Sequence, residues 1–141
     1  MTDTEQRISL LVRLADYLQG NSEEWQDIKL RAADMNAWFT QGNIELAIRN
    51  ICTRMLNADK LRAWMHGYSV TASPKRVGIV AAGNIPLVGF HDFLCGFMSG
   101  HITVLKLSSK DEVLLKHIVG KLIEWQPQIA QQVIIADNLK G

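Results

Sequence analysis

Apolar positions follow two different rhythms along this chain. In the first half they recur three and four residues apart, as on one face of a helix. Ile8, Leu11, Leu14, Ala15 and Leu18 predict a helix over 5–19, closed by Gly20-Asn21. Ser22, followed by Glu23 and Glu24, is a helix N-cap with acids in the first turn, and that helix is expected to run to about Ala33. Asn36-Ala37-Trp38-Phe39 is a connector whose two large aromatics are expected to dock on the core. Thr40 caps a third helix with Ile44, Ala47, Ile48, Ile51 and Met55 on one side. Asn57 caps a short fourth helix with Leu61, Trp64 and Met65, ended by Gly67.

From Lys75 the rhythm changes. Arg76 to Ala82 is a short run rich in branched residues, which predicts a strand buried on both faces. Gly83-Asn84-Ile85-Pro86 breaks it, and Pro86 suits the first position of a helix. Apolar residues continue to Met98, with Gly100 placed as a C-cap. Ile102 to Leu107 predicts a second strand. Ser109-Lys110-Asp111-Glu112 then has the form of a capping box. It precedes a helix carrying Val113, Leu114, Ile118, Leu122 and Trp125, bounded by Pro127. Gln132 to Ala136 predicts a third strand and 137–141 a turn. A β-α-β-α-β order feeds a parallel sheet. The expected class is therefore α/β: a helical N-terminal segment over 1–67, a linker over 68–74, and a partial Rossmann-like nucleotide-binding domain over 75–141. Three parallel strands leave open edges, so the chain is expected to be part of a larger protein.

Composition narrows the function classes. The 141 residues are 48% hydrophobic with a net charge of +1, which suits a globular domain and gives no global field for nucleic acid or an anionic surface. No basic cluster interleaves with aromatics. The longest nearly apolar stretch, Val77 to Phe90, is interrupted by Asn84 and Pro86 and is too short to span a bilayer. The polar N-terminus lacks a signal-peptide core. Cys52 and Cys95 sit in apolar helical patterns, outside any CxxC pair, which fits a reducing compartment and a cytoplasmic protein. The four histidines lack metal-ligand spacing, so no metal is expected.

Candidate chemistry gathers where the strands end. Asn84 falls at the carboxyl end of a strand and the start of a helix, the edge where open α/β sheets bind ligands. Its amide could donate to a developing oxyanion or simply cap the turn. Lys106 ends an apolar strand, where it either meets a ligand at the sheet edge or extends to water. Ser108 and Ser109 serve a helix cap whether or not a nucleotide binds. Cys95 and Cys52 read as packing residues rather than nucleophiles. His91 and Asp92, being adjacent on a helix, are not expected to form a dyad.

The stretches AAGNIPLVGFHDF and SGHITVLKLSSKD together resemble the cofactor-domain signature of the aldehyde dehydrogenase superfamily. Within it they resemble the fatty acyl-CoA reductases, the family that includes the long-chain acyl-protein thioester reductases of bacterial luminescence. The resemblance spans roughly residues 75 to 115. It implies a sheet of the aldehyde dehydrogenase type and NADPH-dependent reduction of a fatty acyl-CoA or acyl-protein thioester to an aldehyde. It makes Asn84 the oxyanion donor, and Lys106, Ser108 and Ser109 the adenosine-end contacts. The backbone of Ala82 and Gly83 would line the cofactor path. Ser109 stands where NAD-preferring members often carry Glu, which leaves room for a 2′-phosphate beside Lys106 and Lys110 and suggests NADP. Gly83 and Leu107 depart from the aromatic and the Pro usual at those positions. The acyl-carrying Cys belongs to a second domain, so these residues alone are expected to be inactive. Two other readings stay open: an acyl-phosphate reductase of the same superfamily, and a non-catalytic module that binds a nucleotide, a protein or a second copy of itself.

Overall fold

A computed structural model describes residues 3–83 and 85–136. Four helices come first: α1 (Thr4–Gln19), α2 (Glu23–Met35), α3 (Gln41–Arg54) and α4 (Ala58–Met65). The caps explain where they start. Ser22, Thr40 and Asn57 each accept a backbone N–H three residues on, as their side chains predict. Asp3 and Gln6 add a capping box at the start of α1. The predicted inner faces are buried, with Ile8, Leu11, Leu14 and Leu18 of α1 and Ile44, Ile48 and Ile51 of α3 in one hydrophobic cluster. Each such side chain removed from water contributes about 1.5–3 kcal/mol. Of the connector aromatics, Phe39 is buried as expected, but Trp38 is 80% exposed. The Trp38 N–H caps on Asn36 Oδ1, and this turn directs the indole outward.

The second half is β1 (Arg76–Val80), α5 (Phe90–Ser99), β2 (Ile102–Lys106), α6 (Val113–Trp125), a 3-10 turn (Pro127–Gln131) and β3 (Val133–Ile135). All three strands are parallel in the order β1-β2-β3, with Val80 opposite Lys106 and Leu105 opposite Ile135. The α/β expectation holds. Gly100 ends α5 at φ 84, the left-handed C-cap its position predicts.

Three local expectations are corrected. First, β1 is not buried on both faces: Val80 is 72% exposed, because strand order puts β1 at the sheet edge. Second, Pro86 does not open a helix. The chain turns through 85–89 with Leu87 at φ 58, and α5 starts only at Phe90. Third, the Ser109 capping box does not form. Ser108 Oγ takes the Lys110 N–H (3.2 Å), the Asp111 N–H bonds the Ser108 carbonyl (3.0 Å), and α6 begins after Glu112 without a side-chain cap.

Side-chain contacts tie the helical layer to the sheet layer. Arg7 of α1 is buried and donates to the Phe97 carbonyl (2.5 Å) and to Gln132 Oε1 (2.9 Å), with its guanidinium 5.1 Å from the Phe97 ring centroid. Trp25 of α2 stacks on His117 of α6, and the Tyr17 hydroxyl lies 2.7 Å from His117 Nε2. Among the described residues, no helix is long and apolar enough to cross a membrane.

Candidate functional site

The carboxyl ends of the three strands open into a cleft of about 470 Å³. Parallel strands leave their last carbonyls and the following loops at one edge, so ligands of open sheets collect there. Lys106, Ser108 and Ser109 line it, together with Ala81, Glu112 and Lys116. Three of the residues singled out from sequence therefore share one cavity. Lys106 is half-buried, emerging where β2 ends, which resolves the cost of a cation on an apolar strand. The Ala81 N–H bonds the Lys106 carbonyl (2.9 Å), extending the β1–β2 ladder to the cleft floor.

The other predicted residues are placed differently. Ala82 is exposed and Gly83 half-buried, and neither lines the cleft; Ala81 does instead. Asn84 lies outside the described residues. Gly83 packs against the opposite loop so closely that a Cβ there would sit 2.2 Å from Ser108 Oγ and 2.8 Å from Ser108 Cβ. That contact accounts for glycine at this position. Lys110 does not line the cleft; Lys116, one turn into α6, is the second cation there.

Two residues that sequence reasoning did not single out hold the site's loops. Asn36, buried at the C-terminal end of α2, donates from Nδ2 to the carbonyls of Gly83 (3.4 Å) and Lys110 (3.2 Å), so one amide bridges the loops after β1 and β2. Asp111, also buried, accepts the Leu87 N–H at 2.9 Å through Oδ2, while Oδ1 has no hydrogen-bond partner among the described residues. Burial pushes its carboxyl up to about 7, against the N–H groups of Leu87 and Val88, which favour the anion. Asp111 stood in the quoted motif, but its partner can be known only from the fold.

Neither cysteine lies at the cleft. Cys52 is buried on α3, its thiol facing the Ala15 carbonyl and pushed up to about 11 by burial and then by Asp16. Cys95 is half-buried on α5, with Sγ 4.0 Å from His91 Nδ1. Burial and then Asp92 raise its thiol, so the thiolate needed for attack is disfavoured. His91 and Asp92 do approach to 3.9 Å, both well exposed, as a surface pair.

No curated protein and no solved structure matches the chain. The family model described as acyl-CoA reductase (LuxC) matches residues 2–137, nearly the whole chain. That span takes in the helical lead-in as well as the β-α-β stretch on which the sequence resemblance rested. The chain belongs to the LuxC family of acyl-CoA reductases.

Proposed function

We propose that this chain forms the nucleotide-binding part of an NADPH-dependent reductase that converts a fatty acyl thioester, on CoA or on a protein, to an aldehyde. The carrying observation is the cleft at the carboxyl edge of a parallel sheet, lined by Lys106, Ser108 and Ser109, in a member of an acyl-CoA reductase family. The residues present suit the nucleotide. Lys106 is a point charge for a ribose or phosphate, and the two serines offer hydroxyls. Lys116, entering from α6, adds a second cation for a 2′-phosphate. When bound, the cofactor supplies hydride. The chain's own part is to hold the adenosine end at Lys106, Ser108 and Ser109, beside Ala81, and to donate from Asn84 to the oxyanion of the tetrahedral adduct.

The acyl-accepting thiol comes from outside these residues, a reading supported by the raised, displaced thiols of Cys52 and Cys95. The free cysteines also suit a reducing, cytoplasmic setting. The test is to mix the chain with NADPH and long-chain acyl-CoA while recording backbone amide resonances. Ser108, Ser109 and Lys116 are expected to shift with NADPH, and no aldehyde to form. Shifts confined to other surfaces would contradict the nucleotide site, and aldehyde formation would contradict the missing thiol.

One observation favours a second reading, a binding module that pairs through β1. Val77 and Val80 are open to solvent on that edge strand. A stable dimer that fails to bind NADPH would support it.

A further inference from the structure

We propose that Asp111 is a positioning residue, whose buried carboxyl group fixes the 85–89 turn and thereby the loop that leaves β1. The inference rests on the reading of Asn84 as the oxyanion donor and deepens it, because that turn follows Asn84 directly in the chain. Leu87 is the one non-glycine residue with positive φ among those described, at 58°. A branched side chain takes up that conformation only when its surroundings impose it. Two contacts do so here. The Leu87 side chain is buried in the core, and its N–H donates to Asp111 Oδ2 at 2.9 Å. Asn36 anchors the other end of the same loop at the Gly83 carbonyl.

The clamp is a titrating one. Asp111 is 6% exposed and, among the described residues, its Oδ1 meets no donor, so ionisation there is opposed by burial and favoured by the backbone N–H groups of Leu87 and Val88. The charged groups nearest in the chain do not offset it. Lys110 and, from α5, His91 and Asp92 are exposed, and Glu112 lines the cleft. The neutral carboxyl accepts the Leu87 N–H weakly, and the carboxylate accepts it strongly. Losing the proton therefore tightens the turn, without a nucleotide being needed.

The experiment is a pH titration of the assigned amide resonances of the wild-type chain from pH 5 to 9, repeated with Asp111→Asn. The Leu87 and Val88 amides are expected to move together with a midpoint near neutrality, and the movement to vanish in Asp111→Asn. A flat Leu87 amide in wild type overturns the proposal, as does a movement that survives the substitution. The wild-type titration needs no variant to fold. NADPH added at each pH separates the two readings. A chain that fails to bind it refutes the proposed function, while the Leu87 titration still decides the role of Asp111.

Discussion

Gly83 lies against Ser108 so closely that a methyl group on it would overlap Ser108 at both Oγ and Cβ. The loops after β1 and β2 are thus packed on each other, and the cleft is shaped by that contact. Rotating the Ser108 hydroxyl away relieves Oγ but not Cβ, so Gly83→Ala must shift backbone. The expected cost is roughly 1–3 kcal/mol of stability, read by thermal unfolding, with weakened NADPH binding. Adding Ser108→Ala should recover only part of the loss.

The two cations in the cleft should be separable. Each charge-assisted hydrogen bond is worth about 1.5–3 kcal/mol, or roughly tenfold to a hundredfold in affinity. Lys106→Met is expected to weaken NADPH and NADH alike by that amount. Lys116→Met should weaken NADPH more than NADH, because only NADPH carries the 2′-phosphate. Equal losses for the two nucleotides would remove Lys116 from phosphate recognition.

Arg7 joins layers far apart in sequence, α1 to the end of α5 and to the turn before β3. Burial lowers its pKa, so its hydrogen bonds carry the cost of an enclosed charge. Arg7→Met fills similar space but leaves the Phe97 carbonyl without this donor, at roughly 1–3 kcal/mol. Urea unfolding should show a lower midpoint with unchanged slope. A wild-type midpoint would show that the arginine holds nothing.

Stability should carry the signature of Asp111. Its carboxyl is raised from 3.8 to about 7 in the folded chain, so the folded state binds the extra proton between those values. This contribution is fully present below the unfolded pKa and is lost as pH rises through about 7, a difference on the order of a few kcal/mol. Asp111→Asn cannot titrate, so its melting temperature relative to wild type should rise between pH 5 and 8. His117, whose pKa burial lowers, runs the opposite way, and it cancels in the comparison because both proteins carry it.

The thiols give a further check. Cys52 should resist alkylation at pH 7 until the chain unfolds, because burial holds it protonated and covered. Modification as fast as that of a free thiol, followed by mass spectrometry, would contradict its position on α3.

Much of this was legible in the sequence wherever the deciding interactions are local. The helix faces, the caps at Ser22, Thr40 and Asn57, and the glycine stop at residue 100 depend on neighbours a few positions away. The exposure of β1 depends on strand order, and its apolar run reads the same at an edge as at a centre. The capping-box pattern at Ser109 lost to a turn in which Ser108 bonds Lys110 and Asp111. At the site, the end of β2 pointed to Lys106 and the family resemblance to the two serines, and all three line the one cleft. Asn36 and Asp111 were missed because their partners are loop backbone, 47 and 74 residues from Asn36 and 24 from Asp111. A backbone acceptor or donor leaves no side-chain signal in the sequence.

A nicotinamide nucleotide is proposed to bind in the cleft at the ends of β1, β2 and β3. Calorimetric titration of the chain with NADPH, in wild type and Lys106→Met, tests it most directly. Saturable binding is expected at one site per chain, weakened at least about tenfold in a variant that melts like wild type. Absence of saturable binding, or affinity unchanged by Lys106→Met, would contradict it.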